Sequence, residues 1–148
     1  MSALSLKPIL VVEDSVEDFT ALGRAFRRHA LPNPVLRCED GDQAIEYLQG
    51  YGKLPGWPQQ LPAFVLLDLN MPGTDGRAVL AAVKQDPRLQ SIPVIIFSTS
   101  TNTRDIEDCY RLGANSYLTK PIDYAMLEEK TRLLVSYWLK TSELPLLS

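Results

Sequence analysis

Five short apolar runs, each followed by a stretch with helical spacing, constrain the fold of this 148-residue chain more than any other feature. The runs at 9–12, 63–67 and 93–97 are continuous rather than alternating, which is typical of strands buried on both faces. A strand that is followed by a helix and another strand usually pairs in parallel through a right-handed crossover. The sequence therefore predicts a parallel sheet covered by helices.

The predicted elements extend over nearly the whole chain. Five strand–helix units at this length favour a doubly wound, flavodoxin-like α/β sheet with strand order 2-1-3-4-5 and helices on both faces. We expect one domain over residues 1–148, with its core at about 8–140 and a short tail at either end. The predicted strands are 8–13, 35–39, 63–68, 93–98 and 115–119, and the predicted helices are 15–30, 42–49, one ending near 84, 103–112 and 123–140.

Composition and charge argue against several classes of function. The chain has 15 basic and 18 acidic residues and no run of lysine or arginine, so we expect no nucleic-acid binding. No apolar stretch approaches the roughly 20 residues of a membrane span, and the N-terminus lacks the apolar core of a signal peptide. Cys38 and Cys109 form no CxxC pair, so we expect reduced thiols and a cytoplasmic location.

Polar side chains follow four of the predicted strands where each strand ends. Glu13 and Asp14 follow the first strand, and Asp68 follows the third. Ser98 follows the fourth strand and Lys120 follows the fifth. Open α/β sheets bind ligands at the carboxyl edge of their strands, so we expect these side chains to converge there.

Three carboxylates at this edge are suited to holding a cation while Asp68 accepts a phosphoryl group. The donor and the acceptor are both negatively charged, and Mg²⁺ compensates such charges with carboxylate, phosphate and water ligands. We predict Asp14 and Asp68 as direct ligands and Glu13 as a ligand, directly or through a water. The Asn70 carbonyl, two residues after Asp68, is a further predicted ligand.

Lys120 and Ser98 are predicted to hold the phosphoryl oxygens, one as a point charge and the other as a hydrogen-bond donor. Thr99 and Ser100 follow Ser98, so that assignment depends on the register of the strand. Counting from Pro93 favours Ser98, with Thr99 as the next choice. Catalysis would then rest on positioning and electrostatics.

The combination of Glu-Asp, Asp-x-Asn-Met-Pro-Gly, Ser and Lys-Pro at successive strand ends resembles the receiver domains of two-component response regulators. The resemblance covers about residues 8–140. It implies a histidine kinase as donor, Asp68 as phosphoacceptor, Lys120 and Ser98 as its partners, and Tyr117 as an aromatic switch. It also implies signalling with self-catalysed phosphorylation and dephosphorylation only, and a cis bond between Lys120 and Pro121. Glu13 and Ser98 depart from the commonest pattern, which has Asp and Thr.

Residues 84–100 and the long segment before the third strand are similar to small regulators paired with bacterial and cyanobacterial phytochromes. This narrower resemblance implies a phytochrome-like kinase. The segment 49–62 exceeds the roughly 2–6 residues that usually connect a helix to a strand. It is interpreted either as a surface loop pinned by Trp57 or as a loop that contacts a partner.

Two other classes of function compete with a phosphoacceptor. A phosphohydrolase of the haloacid dehalogenase type would place its nucleophile after the first strand, with an acid two residues later. Here Asp68 follows the third strand, and Asn70 cannot act as a general acid. A flavodoxin-like FMN binder is disfavoured because the loop at 13–18 is acidic and lacks glycine.

The last predicted helix has an apolar surface wider than one sheet contact requires. Its sheet-facing positions are Leu127, Leu134 and Trp138, its neighbouring stripe is Met126, Leu133 and Tyr137, and Val135 and Leu139 lie around the side. Exposed apolar patches usually mark interfaces, so we predict a homodimer through this helix and the fifth strand. The tail at 144–147 would extend this interface, or cover the stripe in a monomer.

Overall fold

A computed structural model describes residues 7–29 and 31–145 as a five-stranded sheet with the order β2-β1-β3-β4-β5. All neighbouring strands are parallel, which confirms the predicted fold class. The strands are β1 (Ile9–Val12), β2 (Val35–Cys38), β3 (Phe64–Leu67), β4 (Val94–Ser98) and β5 (Ser116–Thr119). The helices are α1 (Val16–Arg28), α2 (Gly41–Gln49), α3 (Gly76–Gln85), α4 (Thr103–Arg111) and α5 (Tyr124–Val135), which continues as a π-helix over Ser136–Thr141.

Apolar clusters cover both faces of the sheet. Leu10, Val65 and Ile96 join the cluster beneath α2 and α3, while alternate residues such as Ile9 and Phe64 join the cluster beneath α1 and α5. Successive side chains on a strand point to opposite faces, so continuous apolar runs are needed to fill both. Full burial of each such side chain contributes about 1.5–3 kcal/mol to folding.

The register aligns the ends of the strands along one edge. Val12 at the end of β1 pairs with Cys38 of β2 and with Leu67 of β3. Ser98 at the end of β4 pairs with Thr119 of β5. The side chains that follow these strands therefore start from the same edge of the sheet.

The end of the last helix differs from the sequence prediction. The predicted helix over 123–140 changes to π geometry after Val135, and Val135 itself is buried in the core instead of lying around the side. A π-helical turn holds more residues than an α-helical turn, which rotates the positions that follow it. Trp138 and Leu139 both pack against the cluster beneath α1 and α5.

The bond between Lys120 and Pro121 is trans, because the described residues contain no cis peptide bond. The cis bond implied by the resemblance is therefore wrong for this structure. The trans form is favoured by about 0.5–1 kcal/mol at a bond before proline. The Lys120 backbone N–H donates to the Ser98 carbonyl (2.8 Å) in this geometry.

The segment 49–62 packs against the core through Trp57, as one of its two interpretations predicted. The Trp57 ring lies 5.1 Å from the ring of Tyr47, whose hydroxyl donates to the Gln60 carbonyl. Gly52 has a φ of +82°, and a Cβ there would lie 2.4 Å from the Gln60 backbone. The loop therefore has a defined packing, and contact with a partner stays a prediction.

None of the helices within 7–29 and 31–145 has the length and apolar character that crossing a membrane requires.

Candidate functional site

Three carboxylates meet at the carboxyl edge of the sheet. Glu13, Asp14 and Asp68 each place one carboxylate oxygen within 4.8 Å of the others. Glu13 and Asp68 are buried, with 4% and 6% of their surface exposed, and Asp14 is exposed. Oxygen ligands of this kind suit a hard divalent cation, so these residues fit Mg²⁺. The structure thus brings together the three carboxylates that the sequence predicted would converge.

The chain positions the acidic pair through its backbone. Ser15 is the N-cap of α1, and its hydroxyl accepts the Asp18 N–H (3.1 Å), so the carboxylate of Asp14 is not used for capping. The Arg37 guanidinium of β2 donates to the backbone carbonyls of Glu13 (3.1 Å) and Asp14 (3.0 Å). These contacts fix the backbone of the acidic pair and leave its carboxylates directed toward other partners.

Lys120 lies among three carboxylates. Its Nζ lies 2.6 Å from Glu13 Oε1 and 3.3 Å from Asp68 Oδ2. It also lies 3.0 Å from Asp18 Oδ2, a contact that the sequence analysis did not predict. The Lys120 side chain is only 12% exposed, so its charge is compensated almost entirely by these protein groups.

Burial and neighbouring charges shift the pKa values of Glu13 and Lys120. Burial raises the pKa of Glu13 to about 7, because the cost of burying its charge exceeds the stabilisation from Lys120. Burial opposes the charge of Lys120, but its hydrogen bond to Glu13 and the charges of Asp68 and Glu13 outweigh that effect and raise its pKa. The lysine is therefore cationic at neutral pH, whereas Glu13 titrates there.

The metal-free protein is expected to become more stable as the pH falls from 8 to 5.5. The folded chain binds the Glu13 proton more tightly than the unfolded chain. Protonation of Glu13 therefore contributes its full stabilisation at low pH, and this contribution is lost as the pH rises through about 7. The predicted change is on the order of 2 kcal/mol. Urea unfolding in excess chelator measures it, with Glu13→Gln as the variant that should flatten the dependence. Stability that falls steadily from pH 8 to 5.5 would contradict it.

Ser98 is the buried hydroxyl at the end of β4. It is fully buried, whereas Thr99 is exposed, so the register agrees with Ser98 as the first choice. The Ser98 hydroxyl accepts the N–H of Ser100 (3.1 Å). A hydroxyl that accepts one hydrogen bond can still donate its own hydrogen, so Ser98 can supply a donor at this edge of the site.

Ser100 connects the loop after β4 to several elements, which the sequence analysis did not anticipate. Its hydroxyl donates to Asp105 (2.6 Å), which also pairs with Arg77 of α3 (2.6 Å). The hydrogen bond from Ser100, followed by the Arg77 contacts, lowers the pKa of Asp105. The Tyr117 hydroxyl donates to the Ser100 carbonyl (2.8 Å). Tyr117 is half-buried and tied to the loop that begins at Ser98.

The turn after Asp68 packs tightly against the start of α3. The Asn70 backbone N–H lies 3.4 Å from Asp68 Oδ1, and the Asn70 residue is exposed. A Cβ at Gly76 would lie 2.2 Å from the Asp68 carbonyl oxygen, so only glycine permits this approach. The turn keeps Asn70 beside the carboxylate group, and a ligand role for its carbonyl stays a prediction.

Comparisons with known proteins agree with this arrangement. A family model described as "Response regulator receiver domain" matches residues 9–132. The chain is 38% identical over 139 residues to "Response regulator Rcp1" of Synechocystis sp.. The aligned region covers 94% of this chain and 93% of that protein.

Solved structures show the same likeness in three dimensions. The "Phosphorylated Cyanobacterial Phytochrome Response Regulator RcpA" is 38% identical, has a TM-score of 0.86, and covers 95% of this chain and 99% of its own. The "Mn(2+)-bound form of response regulator Rcp1" is 38% identical with a TM-score of 0.85 and the same coverage. The "response regulator RPA3017 in red light signaling of R. palustris" is 36% identical with a TM-score of 0.86, again with the same coverage.

Proposed function

The chain belongs to the response regulator receiver domain family, and from this premise we propose that Asp68 accepts a phosphoryl group from a histidine kinase. The observation that carries the proposal is the environment of Asp68. Its buried carboxylate lies with those of Glu13 and Asp14 and within 3.3 Å of the Lys120 ammonium. The proposal treats residues 1–148 as one receiver domain, which the family match over residues 9–132 supports.

In the proposed reaction, an Asp68 oxygen forms a bond to phosphorus while the P–N bond to the kinase imidazole breaks. The electron pair of that bond stays on nitrogen, and the ring leaves as neutral imidazole because its other nitrogen carries a proton. Glu13, Asp14 and Asp68, with the Asn70 carbonyl, would hold Mg²⁺, and the family resemblance and the donor set support this ion. The ion, when bound, would supply positive charge against the transferring phosphoryl oxygens. No general acid is needed on the protein, so the site would act as a phosphoacceptor with self-catalysed phosphorylation and dephosphorylation.

Lys120 and Ser98 are the groups that would respond to phosphorylation. Lys120 would exchange a carboxylate partner for a phosphoryl oxygen, and the Ser98 hydroxyl would donate to a second phosphoryl oxygen. Ser98 is hydrogen-bonded to Ser100, and Ser100 is hydrogen-bonded to Tyr117 of β5. A movement of Ser98 would therefore be transmitted to the Tyr117 side chain. These contacts support the switch roles predicted for Ser98 and Tyr117.

The proposed donor is a phytochrome-like histidine kinase in the cytoplasm. The printed descriptions of RcpA and RPA3017 refer to a phytochrome and to red light, which supports this class of kinase for the present chain. A phosphotransfer panel with each histidine kinase of the source organism tests it, with Asp68→Asn as the control acceptor. Transfer from a phytochrome kinase at the highest rate is expected, and preferential transfer from an unrelated kinase would overturn the assignment.

The alternative function is a phosphohydrolase of the haloacid dehalogenase type, which would also use Asp68 as a nucleophile. Asp68 follows β3, the third strand along the chain, and Asn70 stands where the general acid of a haloacid dehalogenase would be. Repeated turnover of a generic phosphate ester would favour that enzyme. A single phosphoryl group per chain, lost slowly, would favour the receiver.

Asp14→Ala is expected to raise the metal-free melting temperature while weakening Mg²⁺ binding at least tenfold. Its carboxylate adds to the repulsion among the three acids when no cation is present, and it does not cap α1. The two effects are measured by thermal unfolding with and without chelator and by titration calorimetry with Mg²⁺. A lower metal-free melting temperature would show that Asp14 mainly supports the loop.

We also propose a homodimer through α5 and β5. Met126, Leu133 and Tyr137 are 52%, 52% and 53% exposed, while Leu134 and Trp138 pack inward, as the sequence predicted. Leu133 and Tyr137 line a groove of about 470 Å³ between α5 and β5. Up to residue 145 the tail does not cover this stripe, because Leu144 packs against the cluster beneath α1 and α5. Residues 146–147 lie outside the described ranges. An exposed apolar patch of this kind usually marks an interface, and a two-fold contact between copies is the commonest way to bury it.

Leu133→Glu is expected to dissociate this dimer without unfolding the chain, because it places a charge on the exposed stripe. Light scattering at micromolar concentration, before and after phosphorylation, gives the mass. Val16→Glu is the matched control, since Val16 is an exposed apolar residue on α1 rather than on α5. A monomer mass for the unmodified protein in both states would contradict the dimer.

A further inference from the structure

Asp18 is a carboxylate partner of Lys120 that has no role in the phosphorylation proposed above. It lies in the first turn of α1, 102 residues from Lys120 in sequence, and its Oδ2 lies 3.0 Å from Lys120 Nζ. Its side chain is 50% exposed, in contrast to the buried side chains of Glu13 and Asp68. The contact therefore joins the buried ammonium to a carboxylate at the exposed rim of the site.

The three partners of Lys120 differ in what else they are suited to bind. Glu13 and Asp68 belong to the group of carboxylate oxygens that lie within 4.8 Å of one another, and Asp18 does not. Oxygens that are committed to a cation are weaker acceptors for a second positive charge. Among these three carboxylates, Asp18 is the one that keeps its full capacity for the lysine when the other two hold a cation.

We propose that Asp18 is a positioning residue that competes with the phosphoryl group for Lys120. The proposal rests on the phosphoacceptor function of Asp68. Before phosphorylation, Asp18 shares the ammonium with the buried carboxylates and so weakens the interaction of Lys120 with Glu13 and Asp68. After phosphorylation, the lysine must leave Asp18 to reach a phosphoryl oxygen. Asp18 thereby favours the metal-loaded, unphosphorylated state over the phosphorylated one.

This competition predicts effects of opposite sign on two ligands. Asp18→Asn should weaken Mg²⁺ binding, because Lys120 then interacts more strongly with Glu13 and Asp68. The same variant should tighten binding of beryllium fluoride, a stable mimic of the phosphoryl group, at saturating Mg²⁺. Each change should be about two- to fivefold, the range measured for partly exposed ion pairs. A merely structural role would weaken both ligands or neither.

The experiment measures both dissociation constants by titration calorimetry on the full chain. Glu17→Gln is the matched control, since Glu17 carries the same charge in the same first turn but contacts Ser15 (3.4 Å) rather than Lys120. Asp18→Asn is also made in a Lys120→Met background, and thermal unfolding in Mg²⁺ verifies that each variant is folded. If Asp18 acts through the lysine, its effect on Mg²⁺ binding should vanish in that background.

The proposal is supported if Asp18→Asn shifts the two dissociation constants in opposite directions and Glu17→Gln leaves both unchanged. It also requires that Asp18→Asn has no effect on Mg²⁺ binding in the Lys120→Met background. Unchanged affinities, shifts of the same sign, or an effect that persists without Lys120 would overturn it. If the unmodified protein binds no beryllium fluoride in Mg²⁺, the phosphoacceptor function itself fails. The two failures are therefore distinguishable from the same set of titrations.

Discussion

Lys120→Ala is expected to destabilise the metal-free protein by about 2–4 kcal/mol at pH 8. The change leaves Glu13 and Asp68 buried without the ammonium that now lies 2.6 Å and 3.3 Å from them. Removing one partner of a buried ion pair costs about 3–5 kcal/mol, and protonation of Glu13, with its pKa near 7, limits the loss. The exposed contact with Asp18 adds little to this figure.

Urea unfolding in excess chelator measures this loss. Mg²⁺ should restore much of it, since a cation again faces the carboxylates, so the variant should fold normally in the metal-loaded state. Lys120→Arg is the control, because it keeps a positive charge at the same place. A loss below about 0.5 kcal/mol in chelator would show that solvent, rather than the lysine, compensates the buried acids.

Asp68→Asn is expected to abolish phosphorylation. The amide that replaces the carboxylate cannot serve as the anionic nucleophile, and no other carboxylate of the group is both buried and placed at the end of β3. The variant also loses one ligand and one negative charge from the three-carboxylate group, so Mg²⁺ binding should weaken at least tenfold.

Intact-mass measurement after incubation with a small phosphodonor and Mg²⁺ reports the phosphoryl group. Asp14→Asn is the matched control, because it removes the same charge from the same group and keeps the nucleophile. That control should label slowly, whereas Asp68→Asn should not label at all. Equal labelling of Asp68→Asn and the unmodified protein would place the phosphoacceptor elsewhere.

The fold was predictable because its strands are buried on both faces. Runs such as 9–12 and 64–67 must be apolar at every position, and the intervening stretches have helical spacing, which leaves few alternatives to a parallel sheet. The convergence of Glu13, Asp68 and Lys120 followed from the same argument, because strand ends meet at one edge. Their positions needed no knowledge of how the helices pack.

The contacts that were missed depend on helix placement. Asp18 reaches Lys120 because the first turn of α1 lies beside the end of β5, and no spacing in the sequence encodes that distance. Asp18 lies in the first turn of α1, where acidic residues are favoured by the helix dipole alone, so its charge gave no separate signal of a contact with Lys120. The contact of Asp105 with Arg77 likewise depends on how α3 and α4 approach each other.

Two local features were also beyond sequence reasoning. The last helix changes to π geometry after Val135, and one wider turn rotates the positions that follow it, whereas a periodicity argument assumes a constant turn. The bond before Pro121 is trans. The intrinsic preference for trans over cis at such a bond is only about 0.5–1 kcal/mol, so local contacts can decide which isomer forms. Small energies of this kind leave no pattern in the sequence.

Locating the phosphoryl group tests the central claim most directly. The unmodified protein is incubated with a small phosphodonor, with Mg²⁺ or with excess chelator, and the acyl phosphate is then reduced with borohydride and mapped by mass spectrometry. We predict one modified residue per chain, at Asp68, that forms only with Mg²⁺. A modified residue at another position, or equal modification in chelator, would contradict the account.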